Sequence, residues 1–174
     1  MQAPFSESRD RVHAMARLHD HLYRTPDVVR VAMEPYVAEL VGELRAAYLS
    51  EVSIVVDAGE VQLHMEQAMP CGLILNELVT NALKHAFPDG WQGRGEPVIR
   101  VTVAVEGEHV LLRVQDNGIG LSDGAFTRNG SLGGSLVRML TRQLDGELEV
   151  MGQGGASIAV RFPWCQPGLL SGCA

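Results

Sequence analysis

Apolar residues recur at helical spacing near the start of the chain. Val12, Met15, His19 and Leu22 fall on one stripe and Ser8 stands where a cap belongs, so the pattern predicts a helix over 8–23. Thr25-Pro26 ends it, because a residue before proline is pushed out of the helical region. Pro35 then suits a first helical turn, and Val37, Leu40, Val41, Leu44 and Tyr48 form a second stripe. Two short runs, Val52 to Val56 and Val61 to Met65, read as strands separated by Asp57-Ala58-Gly59. The longest helix is predicted from Pro70 to about Phe87, stopped by Pro88-Asp89-Gly90. Val98 to Val105 and Val110 to Val114 alternate as paired strands around Glu106-Gly107. A glycine-rich stretch runs from Asn117 to Gly134. A helix over Leu136 to Leu144 follows, then strands at Glu147 to Met151 and Ser157 to Phe162. Helices cluster early and strands late, with hairpin-like links. This order predicts an α+β two-layer sandwich, with helices packed on one face of a mostly antiparallel sheet.

Composition narrows the partners. A chain of 174 residues, 46% hydrophobic and 20% charged, has an ordinary globular mix and can bury one core with a short appendage. A net charge of −7 argues against nucleic acid or an anionic membrane surface as the main partner. The longest apolar stretches fall short of the roughly 20 residues that a bilayer span needs. With no basic-then-apolar signal pattern at the N-terminus, the expectation is a cytoplasmic protein. Cys71, Cys165 and Cys173 show no paired spacing and read as free thiols in a reducing compartment.

The candidate chemistry sits on the longest helix and in the glycine-rich loops. Glu77, Asn81, Lys84 and His85 fall at i, i+4, i+7 and i+8 on one helix face, opposite Leu75, Leu78, Val79, Ala82 and Ala86. Such a face either meets water or holds a hydrated Mg²⁺ with its phosphates, since Mg²⁺ takes hard oxygen ligands and keeps several waters. Asp116-Asn117-Gly118-Ile119-Gly120 follows a strand. It is either a plain strand-end turn or a place where a carboxylate accepts a hydrogen bond from an exocyclic amine such as that of adenine. Gly130 to Ser135 precedes a predicted helix, where free backbone N–H groups favour phosphate, or else forms a flexible loop with a cap. Gly152 to Ala156 links the last two strands as a loose hairpin. A Rossmann fingerprint is excluded, because no third glycine and no helix follow Gly118-x-Gly120 as required, and a Walker A loop is absent. His64-Met65-Glu66 with Pro70-Cys71 lacks the second cysteine of a zinc deaminase site.

Taken in order, these elements resemble the GHKL ATPase superfamily, which covers gyrase, large heat-shock chaperones, histidine kinases and MutL. The string from Leu73 to Phe87 is similar to the N-box of sensor histidine kinases beside the HWE group. Asp116 to Leu121 resembles their G1 box, and Ser131-Leu132-Gly133 with Leu136-Val137 and Gln143-Leu144 their G2 region. Arg11 to Tyr23 resembles the second helix of that branch's dimerisation and phosphotransfer hairpin. The resemblance implies a Bergerat-type ATP-binding fold over 28–164, a truncated hairpin helix over 1–27 and a tail over 165–174. It implies that Asn81 ligates Mg²⁺, that Glu77 orients metal-bound water or polarises the reacting group, and that Lys84 and His85 contact phosphate oxygens. It implies that Asp116 binds the adenine amine, that Gly118 and Gly120 let the base approach, and that Gly133 lies on the phosphates within a lid over 122–134.

The chain departs from the family pattern in three places. The family's phosphoacceptor histidine lies in a basic, asparagine-containing string on the first hairpin helix, and no such string occurs here. His13, His19 and His21 therefore read as packing or bundle-surface residues. Ala156 stands where the family usually has threonine, and Gly134-Ser135 replaces a bulkier pair. The implied function is an ATP-dependent protein-histidine kinase domain that passes the γ-phosphate to a histidine outside this chain. The implied partners are ATP, a response regulator or phosphotransfer domain, and a weak homodimer through the N-terminal helix. The alternative is a catalytically silent adaptor of the same fold that docks a response regulator or a kinase. An anti-sigma-factor serine kinase would share the nucleotide site but has no need of the Arg11 to Tyr23 helix.

Overall fold

The computed structural model describes residues 30–93, 95–121 and 132–165. The helix expected over 8–23, most of the lid over 122–134, Ser131 and the tail beyond Cys165 lie outside the described residues. Within them the order is β1 (Arg30–Ala32), α1 (Met33–Ala47), β2 (Ser53–Asp57), β3 (Gln62–His64), α2 (Met65–His85), β4 (Val98–Glu106), β5 (His109–Asp116), α3 (Leu132–Gln143), β6 (Glu147–Met151) and β7 (Ser157–Pro163).

Five strands form one sheet in the order β2-β4-β5-β7-β6. The β2–β4 pair is parallel and the other three pairs are antiparallel. Alternation along the strands puts Ile99, Val101 and Val103, then Val110, Leu112 and Val114, then Ile158, Val160 and Phe162, on one face, and all nine are buried. Helix α1 packs over β2, α2 over β5 and α3 over β6, with α2 in the middle. The expected two-layer sandwich is what the chain forms. The other sheet face carries Arg100, Thr102, Arg113 and Arg161, and Arg161 pairs with Glu106.

The structure departs from the periodicity reading at β2 and β3, at α2 and at α3. Strands β2 and β3 do not form a hairpin. β2 joins β4, and β3 pairs with the short β1 in a separate antiparallel ribbon. Two adjacent short runs carry no signal of their partner, because strand partners are chosen by burial elsewhere in the chain. Helix α2 begins five residues before Pro70, at Met65. A proline this close to the N-terminus removes one backbone hydrogen bond, which the burial of Ala68, Cys71 and Ile74 outweighs. Helix α3 begins at Leu132, so Gly133, Gly134 and Ser135 lie within its first turn and not before it. Both glycines are buried there, and tight packing offsets their poor helix propensity, about 1 kcal/mol each.

A two-stranded ribbon is marginal by itself. Here Val31 and Leu63 anchor it in the core. The chain after β7 also straps it down: the Trp164 indole N–H donates to the Gln62 carbonyl at 3.3 Å, and Gln67 Nε2 donates to the Pro163 carbonyl at 2.7 Å. The Trp164 backbone N–H donates to the Glu108 carbonyl at 2.8 Å, and Arg30 Nη1 to the Cys165 carbonyl at 3.4 Å.

The cysteine reading is corrected at one position. Cys71 is a free, buried thiol as expected, but Cys165 is disulfide-bonded. Pairing depends on how close two Cα atoms come in the fold, which spacing along the chain does not reveal.

Leu63 has no exposed surface and is the ribbon's deepest anchor. Leu63→Ala is expected to lower stability by about 2–5 kcal/mol, read from the midpoint of urea denaturation. A midpoint unchanged from the parent would show that the strap alone holds the ribbon.

Candidate functional site: the end of the central helix and two glycine turns

Helix α2 is buried on several sides because it lies between α1 and α3 on the sheet. Its polar residues are therefore sorted by height along the helix. Glu77 is buried, at 4% exposure, and Asn81 is half-buried one turn later. Lys84 and His85 are exposed in the last turn, where cations complement the helix dipole. The Lys84 ammonium lies over the Tyr48 ring, 5.5 Å from its centroid.

Strand β5 ends at Asp116, which is 8% exposed. One carboxylate oxygen, Oδ1, accepts two backbone hydrogen bonds, from Gly118 N–H at 2.9 Å and from Ala156 N–H at 3.1 Å. The Asp116 backbone N–H donates in turn to the Ala156 carbonyl at 2.8 Å. The other oxygen, Oδ2, makes no hydrogen bond among the described residues, and it is not among the buried polar atoms left unsatisfied. An acceptor held rigid on one side and open on the other suits a ligand N–H donor.

The turn after Asp116 is locked from three directions. Asn117 Oδ1 accepts the Val98 N–H at 2.9 Å, and Asn117 Nδ2 donates to the Glu96 carbonyl at 2.9 Å. Ile119 N–H donates to the carbonyl of Ala86, the residue capping α2, at 3.0 Å. The turn thus hangs from the end of the helix that carries Asn81.

The glycines explain how the backbones come so close. A Cβ on Gly118 would lie 2.2 Å from the Ala86 carbonyl oxygen, and one on Gly120 would lie 2.2 Å from that of Gly152. Gly155, at φ +113°, would put a Cβ 2.1 Å from the Asp116 carbonyl oxygen. So the α2 end, the Asp116 turn and the β6–β7 turn interlock, and no side chain larger than hydrogen fits between them. Spacing along the sequence carries no sign of these protein–protein approaches.

Sequence reasoning singled out Asp116, Gly118, Gly120 and Asn81, and the fold brings the Asp116 turn to the end of the helix bearing Asn81. Gly133 is buried in the first turn of α3, where backbone N–H groups have no intrahelical acceptors. Sequence reasoning missed Asn117, whose amide ties the turn to both Glu96 and Val98. The only available hint was its place in a D-N-G turn string. It also missed Tyr48, read there as one more member of an apolar stripe.

The donor set bears on metal. Among the described residues no three His, Cys, Asp or Glu side chains are grouped to hold an ion. Glu77 and the Asn81 amide lie one turn apart on the helix face that also carries Lys84 and His85. That pair fits a cation whose remaining ligands are phosphate oxygens and water, as Mg²⁺ prefers. His64 and Glu66 sit 3.9 Å apart where β3 meets α2, away from this cluster in sequence and without a further ligand group. Burial pushes the Cys71 thiol up, so it stays protonated and is no nucleophile.

Residues 66–166 match the model of the histidine kinase-, DNA gyrase B- and HSP90-like ATPase family, which is more than half of the chain. The chain belongs to that ATPase family. A second model, described as histidine kinase, matches residues 1–48 and so extends through α1. The chain is 35% identical over 118 residues to blue-light-activated histidine kinase 2 of Erythrobacter litoralis strain HTCC2594, covering 66% of this chain and 33% of that protein. The histidine kinase domain of the Erythrobacter litoralis EL346 blue-light-activated histidine kinase superposes with a TM-score of 0.78 at 25% identity, over 92% of this chain and 83% of that one. The longer structure of the same kinase gives 0.76 at 25% identity, over 90% of this chain and 53% of that one. The chain thus spans about a third of the curated relative and about half of the longer structure. Use of ATP follows from the ATPase family, and the 1–48 match is to a histidine kinase phosphotransfer segment.

The two Asp116 oxygens can be tested separately. Asp116→Asn keeps an oxygen for the Gly118 and Ala156 N–H groups but turns the outward oxygen into an N–H donor. It is expected to retain most of the fold's stability and lose ATP binding. Asp116→Ala loses both roles and is expected to cost about 2–4 kcal/mol as well. Paired thermal melts and nucleotide titrations would distinguish them, and an Asp116→Asn protein that binds ATP like the parent would remove this carboxylate from the site.

Proposed function

We propose that this chain is the ATP-binding catalytic domain of a two-component sensor histidine kinase, a protein-histidine kinase that moves the γ-phosphate of ATP to a histidine outside this chain. The observation that carries the reading is Asp116, braced through Oδ1 and open at Oδ2, on a turn that hangs from the end of the helix bearing Asn81. In this reading residues 1–27 are the second helix of a phosphotransfer hairpin, 28–164 the catalytic domain and 165–174 a tail.

The roles follow from position and chemistry. Asp116 Oδ2 accepts from the adenine amine, while Gly118 and Gly120 keep the turn low enough for the base to approach. Asn81 offers its amide oxygen to Mg²⁺. When bound, that ion would neutralise charge on the phosphates. Buried Glu77, one turn deeper, orients water or polarises the reacting group. Lys84 and His85 contact phosphate oxygens from the exposed last turn. Gly133 supplies a backbone N–H to the phosphates from the start of α3. Catalysis by such a set is mostly positioning and charge neutralisation around the γ-phosphate.

The proposed partners are ATP, a response regulator or phosphotransfer domain, and a weak homodimer through the N-terminal segment. Cytoplasmic residence belongs to the same proposal. No helix among the described residues is long and apolar enough to cross a membrane. One observation favours a second reading. Ala156, a buried methyl whose N–H meets Asp116, stands where a threonine would add a hydroxyl. A silent adaptor of the same fold would tolerate that.

Saturating Mg-ATP, at a hundred times its dissociation constant, is expected to stabilise the protein by about 2.7 kcal/mol in a thermal melt. With γ-labelled ATP the chain alone should form no acid-labile phosphohistidine. A separately supplied helical hairpin carrying a histidine string should be labelled, and Asn81→Ala should abolish that labelling. ATP binding without transfer to any hairpin would favour the adaptor. Strong self-labelling lost in His19→Ala would place the acceptor within this chain.

A further inference from the structure

The Lys84–Tyr48 contact joins two helices that packing alone would also bring together. Its geometry is more restrictive than packing requires. Tyr48 is the C-cap of α1, with φ −93° and ψ 1°. Its backbone N–H donates to the Leu44 carbonyl at 3.1 Å. Leu49 takes the left-handed region, at φ 48°, with its N–H on the Ala46 carbonyl at 3.2 Å. Ser50 N–H closes the cap on the Arg45 carbonyl at 3.3 Å. The ring therefore grows from a backbone fixed by hydrogen bonds at the end of a helix that packs on α2. Lys84, by contrast, is exposed, and its stem has four rotatable carbons.

We infer that Tyr48 is a positioning residue for the nucleotide: its ring face holds the Lys84 ammonium ordered at the exposed end of α2, so that phosphate meets a cation already in place. The inference rests on the reading of Lys84 as a phosphate contact. An aromatic face attracts an ammonium through its quadrupole without neutralising the charge or filling the donor positions a phosphate needs. The ring thus limits the rotamers Lys84 loses when phosphate binds, which is how preorganisation raises affinity. At an exposed site the contact is worth about two- to five-fold in a binding constant.

The experiment is calorimetric titration of the full chain with ATP, ADP and adenosine. The variants are Tyr48→Leu, Tyr48→Phe, Lys84→Met and the double Tyr48→Leu/Lys84→Met, each checked for folding by a thermal melt without ligand. Tyr48→Leu is expected to weaken ATP and ADP by about two- to five-fold and leave adenosine unchanged. Tyr48→Phe should bind like the parent, and Tyr48→Leu should add nothing once Lys84 is Met. Equal weakening of adenosine would mean that Tyr48 only shapes the fold and would overturn the inference. So would additive losses in the double variant. Tighter ATP binding by Tyr48→Leu would also overturn it, because the ring would then be competing with phosphate for the lysine. If Lys84→Met binds ATP like the parent, the phosphate reading of Lys84 fails and the inference falls with it. If Lys84→Met weakens ATP while Tyr48→Leu does not, that reading stands and only the role of Tyr48 is refuted.

Discussion

One carboxylate oxygen gathers the loops of this protein. Asp116 Oδ1 accepts from Gly118 two residues ahead and from Ala156 forty residues away. Hydrogen bonds to a charged acceptor are roughly twice as strong as neutral ones. The bond from Ala156 matters more here because it is buried, where an unpaired donor would be costly. Without that oxygen the Asp116 turn and the β6–β7 turn would have no shared partner beyond one backbone bond. With it, the open oxygen of the same carboxylate is aimed by the protein and is not free to rotate.

The glycines are the second half of the same constraint. Each interlock requires a backbone carbonyl to sit where a Cβ would stand: Ala86 against Gly118, Gly152 against Gly120, Asp116 against Gly155. The turn can therefore touch the end of α2 directly, through the Ile119 N–H to Ala86 bond. This direct contact transmits the helix position to the turn. Asn81 and Asp116 come from segments 35 residues apart, yet rigid elements link them: α2, its cap, and a turn tied down by Asn117. A site meant to align a charged, flexible ligand benefits from such short connections, because each loose joint would blur the geometry.

The periphery follows a different logic. The ribbon of β1 and β3 carries the chain into the domain from the N-terminal side, and a strap at Pro163 to Cys165 holds it against α2 and the sheet. The strap uses a tryptophan, whose indole offers both a broad apolar face and one N–H donor. The start of β1 is thus fixed relative to the sheet, although the ribbon is not hydrogen-bonded into it.

The layer architecture was legible in the pattern of apolar and polar positions. Alternation in 98–105, 110–114 and 157–162 fixes which strand faces are buried, since side chains point to opposite sides with period two. The 3.6-residue period in 75–86 likewise groups Leu75, Leu78, Val79, Ala82 and Ala86 on one face and Glu77, Asn81, Lys84 and His85 on another, while the burial of Glu77 between α1 and α3 was left to the fold. The order of polar and glycine motifs was enough to indicate an ATP-binding family. Tertiary structure alone decided which strands β2 and β3 join, because pairing is settled by partners distant in sequence. It alone decided where α2 and α3 begin, because burial of Ala68, Gly133 and Gly134 outweighs the propensities of proline and glycine. Only the fold could place a tyrosine beneath Lys84, join Cys165 in a disulfide, and assign one Asp116 oxygen to the protein while leaving the other open. Each of these is a distance set by the folded backbone, and local pattern holds no information about such distances.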